Sequence, residues 1–100
     1  MMKTIKDDDG NMIGEKDWVL VDVMGERVFK RVAEVGRDHS DSLDFTDGSW
    51  ASIGRCRKWF PQNGDVVIWA GYKKEVGVVG KDFHISQKDL VPYGVPYGDI

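Results

Sequence analysis

Residues 17–35 read DWVLVDVMGERVFKRVAEV, and this stretch decides the fold class. Asp17 to Met24 alternates as a strand does, with Val19, Val21 and Val23 on one face and Trp18, Leu20 and Asp22 on the other. A turn at Gly25-Glu26 follows. Arg27 to Val35 then reads as a longer strand with Phe29, Ala33 and Val35 on one face and Val28 and Val32 on the opposite one. Apolar residues on both faces suit a small barrel whose strands bend across two packed layers.

The same signature continues outward. Leu43-Asp44-Phe45-Thr46 alternates, Asp47-Gly48 marks a hairpin, and Ser49 to Ile53 supplies the return strand. Arg55 to Phe60 fits either a helical turn or an irregular strand ending at Pro61. Asp65 to Trp69 and Glu75 to Val79 read as two further strands around the loop Gly71-Tyr72-Lys73-Lys74. A short strand carries Phe83 and Ile85, with His84 pointing outward. Ser86 to Asp89 looks like a one-turn helix capped by Ser86, and Leu90-Val91 returns to the core. Upstream, Thr4-Ile5-Lys6 and Met12-Ile13 bracket Asp7-Asp8-Asp9-Gly10-Asn11, a short hairpin or a mobile arm. Downstream, Val91-Pro92-Tyr93-Gly94 is repeated as Val95-Pro96-Tyr97-Gly98, a turn-like or extended tail. Twelve glycines in 100 residues leave no room for long helices. The expected class is therefore all-β. The expected organisation is an arm or hairpin at 1–14, a barrel at 15–61, a second unit at 62–93 and a tail at 94–100.

Trp18 to Pro61 resembles the Tudor-type members of the SH3-like small barrels. The resemblance lies in the opening Val19-Leu20-Val21, the turn at Gly25, the second strand through Val28-Phe29 and Val32 to Val35, the acidic turn after Leu43 to Thr46, and the closing Ile53 and Trp59-Phe60-Pro61. Gly64 to Pro92 looks like an abbreviated second SH3-like unit or an extra hairpin. Its Gly64-Asp65-Val66-Val67-Ile68 to Gly71 and Gly77-Val78-Val79 are similar to the KOW element. KOW proteins commonly carry a Gly and a Lys where this chain has Glu75 and Val76. The Tudor resemblance implies an aromatic cage for alkylated cations, to which Phe29, Phe45, Asp47 and Trp50 correspond by position. Val23 stands where that family places a large aromatic, so a loose aromatic groove is the better expectation than a closed cage.

Composition narrows the function classes. With 14 basic and 17 acidic residues the net charge is −3, which lacks the broad basic field of a duplex-DNA binder. The longest uncharged apolar run, Trp18 to Val21, is far short of the roughly 20 residues that cross a bilayer, so no membrane partner is expected. No secretory pattern opens the chain, and the single Cys56 excludes an internal disulfide, which makes the cytoplasm the default location. Cys56 between Arg55 and Arg57 has the cations that depress a thiol pKa. His39 and His84 have no spacing that makes either one its base. Asp7-Asp8-Asp9-Gly10 hints at a calcium loop, but EF-hand spacing would place Ile5 and Lys16 as ligands. His39, Asp38 and Asp41 form a loop cluster without a fourth ligand. No catalytic residue, metal or cofactor is therefore expected.

What remains is binding. Eleven aromatics, four of them Trp, point to a protein partner held in an aromatic-lined groove or on a strand edge. Trp18, Phe29, Phe45, Asp47, Trp50, Trp59 and Tyr72 are the candidate groove residues. The alternative is a single-stranded nucleic-acid or nucleoprotein binder using Arg55, Arg57, Lys58, Lys73 and Lys74. A small inhibitor of a host enzyme, of phage or plasmid type, is a third possibility. The chain is expected as a monomer or as a homodimer joined through residues 65–79, where a partial second barrel would leave an unpaired strand edge.

Overall fold

A computed structural model describes residues 3–37 and 39–94. The fold is all-β, 47% strand and 3% helical, and one of its sheets curls into a half-barrel. The chain divides into two compact units, Met1–Trp59 and Phe60–Ile100.

The first unit begins with a hairpin of β1 (Ile5–Lys6) and β2 (Met12–Ile13). Four strands follow as a meander: β3 (Trp18–Val23), β4 (Glu26–Val35), β5 (Ser42–Phe45) and β6 (Trp50–Ser52). A 3-10 turn at Ile53–Arg55 leads into β7 (Cys56–Lys58), which returns to pair with β3. The sheet order is thus β6-β5-β4-β3-β7, all antiparallel. Of the two readings of Arg55 to Phe60 the strand holds, at Cys56–Lys58, while the helical turn lies before it and ends at Arg55.

The hinge of the meander is Met24-Gly25, one residue earlier than the sequence suggests. Val23 pairs with Glu26, so two residues form the loop, and both have positive φ (53° and 85°). That combination matches the right-handed twist of the flanking strands, which is why such loops close hairpins. Asp22 Oδ1 accepts a hydrogen bond from Gly25 N–H at 3.0 Å and fixes the turn.

The core lies on one side of the curled sheet. Val19, Val21, Val32, Val35, Leu43, Phe45, Ala51 and Cys56 form it together with Ile13 of the hairpin. The expected facing of β4 is corrected at this point. Val32 and Val35 are both buried, although an unbroken strand would send them to opposite sides. Pairing shifts between Val32↔Phe45 and Glu34↔Asp44, so Ala33 is an extra residue that resets the parity. Phe29 precedes the bulge and, opposite Leu20, faces away from the core with Arg27 and Arg31.

Of the two readings of the N-terminal segment the short hairpin holds, and it is pinned to the sheet. Asp7 is 5% exposed. Its Oδ1 accepts N–H bonds from Asp9 and Asn11 (3.0 and 2.8 Å), and its Oδ2 accepts one from Lys58 of β7 (2.9 Å). Lys58 Nζ reciprocates by donating to the Met12 carbonyl at 2.8 Å. A carboxylate on the outward N–H of a terminal strand blocks that edge to further pairing.

The second unit is a three-stranded antiparallel sheet, β8 (Val66–Trp69), β9 (Glu75–Val78) and β10 (Leu90–Pro92), in the order β10-β8-β9. Pro92 sits in an outer strand, where a missing N–H is tolerated. Two expectations fail in this unit. Phe83–Ile85 is not a strand; a single bridge joins Val79 to Phe83. Ser86–Asp89 forms turns instead of a helix, because the Ser86 hydroxyl and N–H both engage His84 Nδ1 and Asp89 adopts φ 66°. Phe83 is instead buried, and its ring lies against Trp69 at a centroid distance of 5.9 Å. The repeat from Val95 onward lies outside the described residues, as does Asp38.

Candidate functional site

Strand register organises the face of the first unit that points away from the core. On β3 that face presents Trp18, Leu20 and Asp22. Opposite them on β4 stand Arg31, Phe29 and Arg27, in that order. On the other flank, β7 sets Arg57 opposite Leu20, and the Trp59 N–H continues the ladder by donating to the Trp18 carbonyl at 2.9 Å. Cross-strand neighbours on one face are about 5 Å apart, so these side chains form three contiguous rows. Phe29 and Trp59 meet edge to face with ring centroids at 6.4 Å. Phe29 is 36% exposed, an unusual amount for a residue on a central strand.

Beside this pair the surface sinks into a cleft of about 190 Å³ lined by Leu20, Asp22, Arg27, Gly54, Arg55 and Arg57. Arg55 is held in place: its Nε and Nη2 both donate to the Asp22 carbonyl, at 3.0 and 2.8 Å. Arg57 lies 3.8 Å from Asp9 in an exposed ion pair. Sequence reasoning missed Arg27 as a member of this group. The signal was its two-residue spacing from Phe29 on one strand face, readable once the turn is placed at Met24-Gly25.

Six of the seven candidate groove residues lie in the first unit, and those six do not form one groove. Phe29 and Trp59 pair. Trp18 is only 7% exposed and lies under the Arg31 guanidinium, which sits 5.7 Å from its ring. Phe45 is 3% exposed and belongs to the core, so it lines no surface. Asp47 is committed to its turn. It pairs with Lys30 and accepts the Ser49 N–H at 2.8 Å. Burial would raise its pKa, but the Lys30 and Ser49 contacts prevail and lower it to about 2. Trp50 is 60% exposed and stands 6.5 Å from His39 across a second cavity of about 280 Å³, which Ser42 and Asp44 complete. Tyr72 belongs to the second unit, stacked near Trp69 at 5.2 Å.

The five cations of the nucleic-acid reading are divided between the two units. Arg55 and Arg57 share the cleft. Lys58 turns to the opposite side, 3.5 Å from Asp17 and bonded to Met12. Lys73 lies over the Tyr72 ring in the second unit, and Lys74 follows it there. Cys56 is buried in the core, its thiol donating to the Ser52 carbonyl at 3.4 Å. Burial pushes its pKa up to about 11 despite Arg55, the reverse of an activated thiol.

Among the described residues no group of three or more His, Cys, Asp or Glu side chains is arranged to hold a metal ion. No helix there is long and apolar enough to cross a membrane. Comparison with protein-family models, with curated proteins and with solved structures finds no match.

Proposed function

We propose that the protein is a non-catalytic binding module that takes a protein segment on the β3–β4–β7 face of its first unit. The observation that carries this reading is the Phe29–Trp59 pair, Phe29 exposed and Trp59 half-buried, next to Leu20 and bordered by three arginines. Aromatic and arginine side chains supply most of the binding energy at protein interfaces. A face that keeps them in one rigid sheet register loses little entropy on binding. We assign the first unit to the SH3-like small barrels of Tudor type. This is supported by the four-strand meander, the 3-10 turn before the last strand and the return of that strand to the first of the meander. The second unit is read as its abbreviated companion.

A strand-edge mode of binding is less favoured at β7, where Asp7 occupies the outward N–H of Lys58. A nucleic-acid mode is less favoured because, within the first unit, Lys58 turns away from Arg55 and Arg57, and acids interleave these cations.

Selection of a random peptide library against the immobilised protein tests the proposal. Phe29→Ala is expected to weaken the selected peptides by about 2 kcal/mol, and Trp50→Ala to leave them unchanged. Peptides that bind Phe29→Ala as well as the parent, with the variant folded by circular dichroism, would remove the proposal.

A further inference from the structure

This inference rests on the reading of the β3–β4–β7 face as a peptide surface and assigns the chemistry of the segment it takes. We infer that the cleft beside Phe29 and Trp59 is a subsite for an anionic side chain of that segment, a carboxylate or a phosphate monoester.

Three arginines, Arg27, Arg55 and Arg57, line the cleft, and Leu20 is its one large apolar residue. With Asp22 the lining carries a formal charge of three minus one, or +2. Like charges gathered in a concave site repel one another and raise the local potential, and an incoming anion relieves both. The donors are available. Arg55 spends two of its five N–H groups on the Asp22 carbonyl, which fixes the plane of the fork and leaves the others free to bond. The Arg27 side chain makes no hydrogen bond or ion pair among the described residues. Arg57 is held only at 3.8 Å by Asp9, in a pair more than half exposed on each side. An exposed pair of that kind is worth little, so a ligand anion can displace it. The guanidinium fork matches the two oxygens of a carboxylate or phosphate, which makes an oxyanion the fitting occupant.

Two acids face the same arginines, Asp22 from β3 and Asp9 from the hairpin turn. They favour a single compact anion over a long phosphodiester chain, which would meet both carboxylates. The sheet register supplies the rest of the specificity. Leu20 is directly opposite Phe29 on one side and Arg57 on the other, so apolar and anionic subsites adjoin. A segment with an acidic residue beside an aliphatic or aromatic one fills both.

The test uses the full chain and four fluorescent probes at physiological salt. They are a peptide of alternating Leu and Glu, the same peptide with phosphoserine for Glu, the same with Gln for Glu, and an oligothymidylate. Anisotropy is expected to show the Glu or phosphoserine peptide binding at least about tenfold more tightly than the Gln peptide. The better of the two identifies the source of the anion. Arg27→Gln should abolish the difference, and Arg27→Lys should restore part of it. Phe29→Ala should weaken all three peptides. If acidic and Gln peptides bind alike, or Arg27→Gln changes nothing, the anionic subsite is refuted while the peptide face stands. If Phe29→Ala has no effect on the Gln peptide, the peptide face itself is refuted. Tight binding of oligothymidylate with none of the acidic peptides overturns the inference in favour of a nucleic acid, and binding of no probe overturns it outright.

Discussion

Asp7 gathers three backbone N–H groups on one carboxylate, two from its own turn and one from Lys58, fifty-one positions along the chain. Burial alone would raise its pKa, but those donors outweigh it and hold the group below the usual carboxylate value. Asp47 behaves alike, with Lys30 and Ser49 as the partners that lower it to about 2. Both carboxylates have lower pKa values folded than unfolded, so their stabilisation is full above the ordinary value of 3.8 and is lost as pH falls through the folded values. Equilibrium unfolding should therefore show an acid limb between about pH 4 and pH 2, and Asp47→Asn should flatten it. Asp7→Ala is expected to cost about 1–3 kcal/mol, since it orphans the Lys58 N–H and frees the hairpin. Asp47→Asn, at an exposed pair, should cost about 1 kcal/mol or less. Denaturant titration decides both, and equal costs would contradict the division between a buried and an exposed carboxylate. The Cys56 thiol, pushed up to about 11 by burial, should resist alkylation at neutral pH and react at once on unfolding. Rapid labelling of the folded chain would place it elsewhere than in the core.

At the scale of elements, short runs of β-branched and aromatic residues between turn signals made β3, β5 and β8 legible as strands, even though adjacent residues such as Val67 and Ile68 are both buried. The bulge at Ala33 was not legible. An alanine fits either face, and nothing in composition marks the extra residue that turns Val35 inward. The edge role of Asp7 was hidden for a different reason: three successive aspartates look interchangeable until a distant strand selects one. The groove residues were half legible. Aromatic residue type pointed to Phe29 and Trp59, but the same criterion put forward Phe45, which the core absorbs, and Trp18, which Arg31 covers. In the second unit, Gly77 of β9 admits the Phe83 ring. A Cβ there would lie 2.6 Å from the ring edge and 2.8 Å from the Asp82 Cβ. Gly77→Ala should destabilise the chain by about 1–3 kcal/mol, because two elements would have to move. A thermal midpoint unchanged by that substitution would show that Phe83 does not pack there.

For the whole molecule, the curled sheet of the first unit separates two tasks. One side holds the valine-rich core that keeps the strands in register. The other keeps Leu20, Phe29, Trp59 and three arginines at spacings the ladder fixes. Backbone amide mapping by NMR, with a library-selected peptide titrated into the labelled chain, tests this division most directly. A contiguous set of shifts is expected at Leu20, Phe29, Arg57 and Trp59, extending to Arg27 and Arg55. Shifts confined to the His39–Trp50 cavity, or to the second unit, would contradict it.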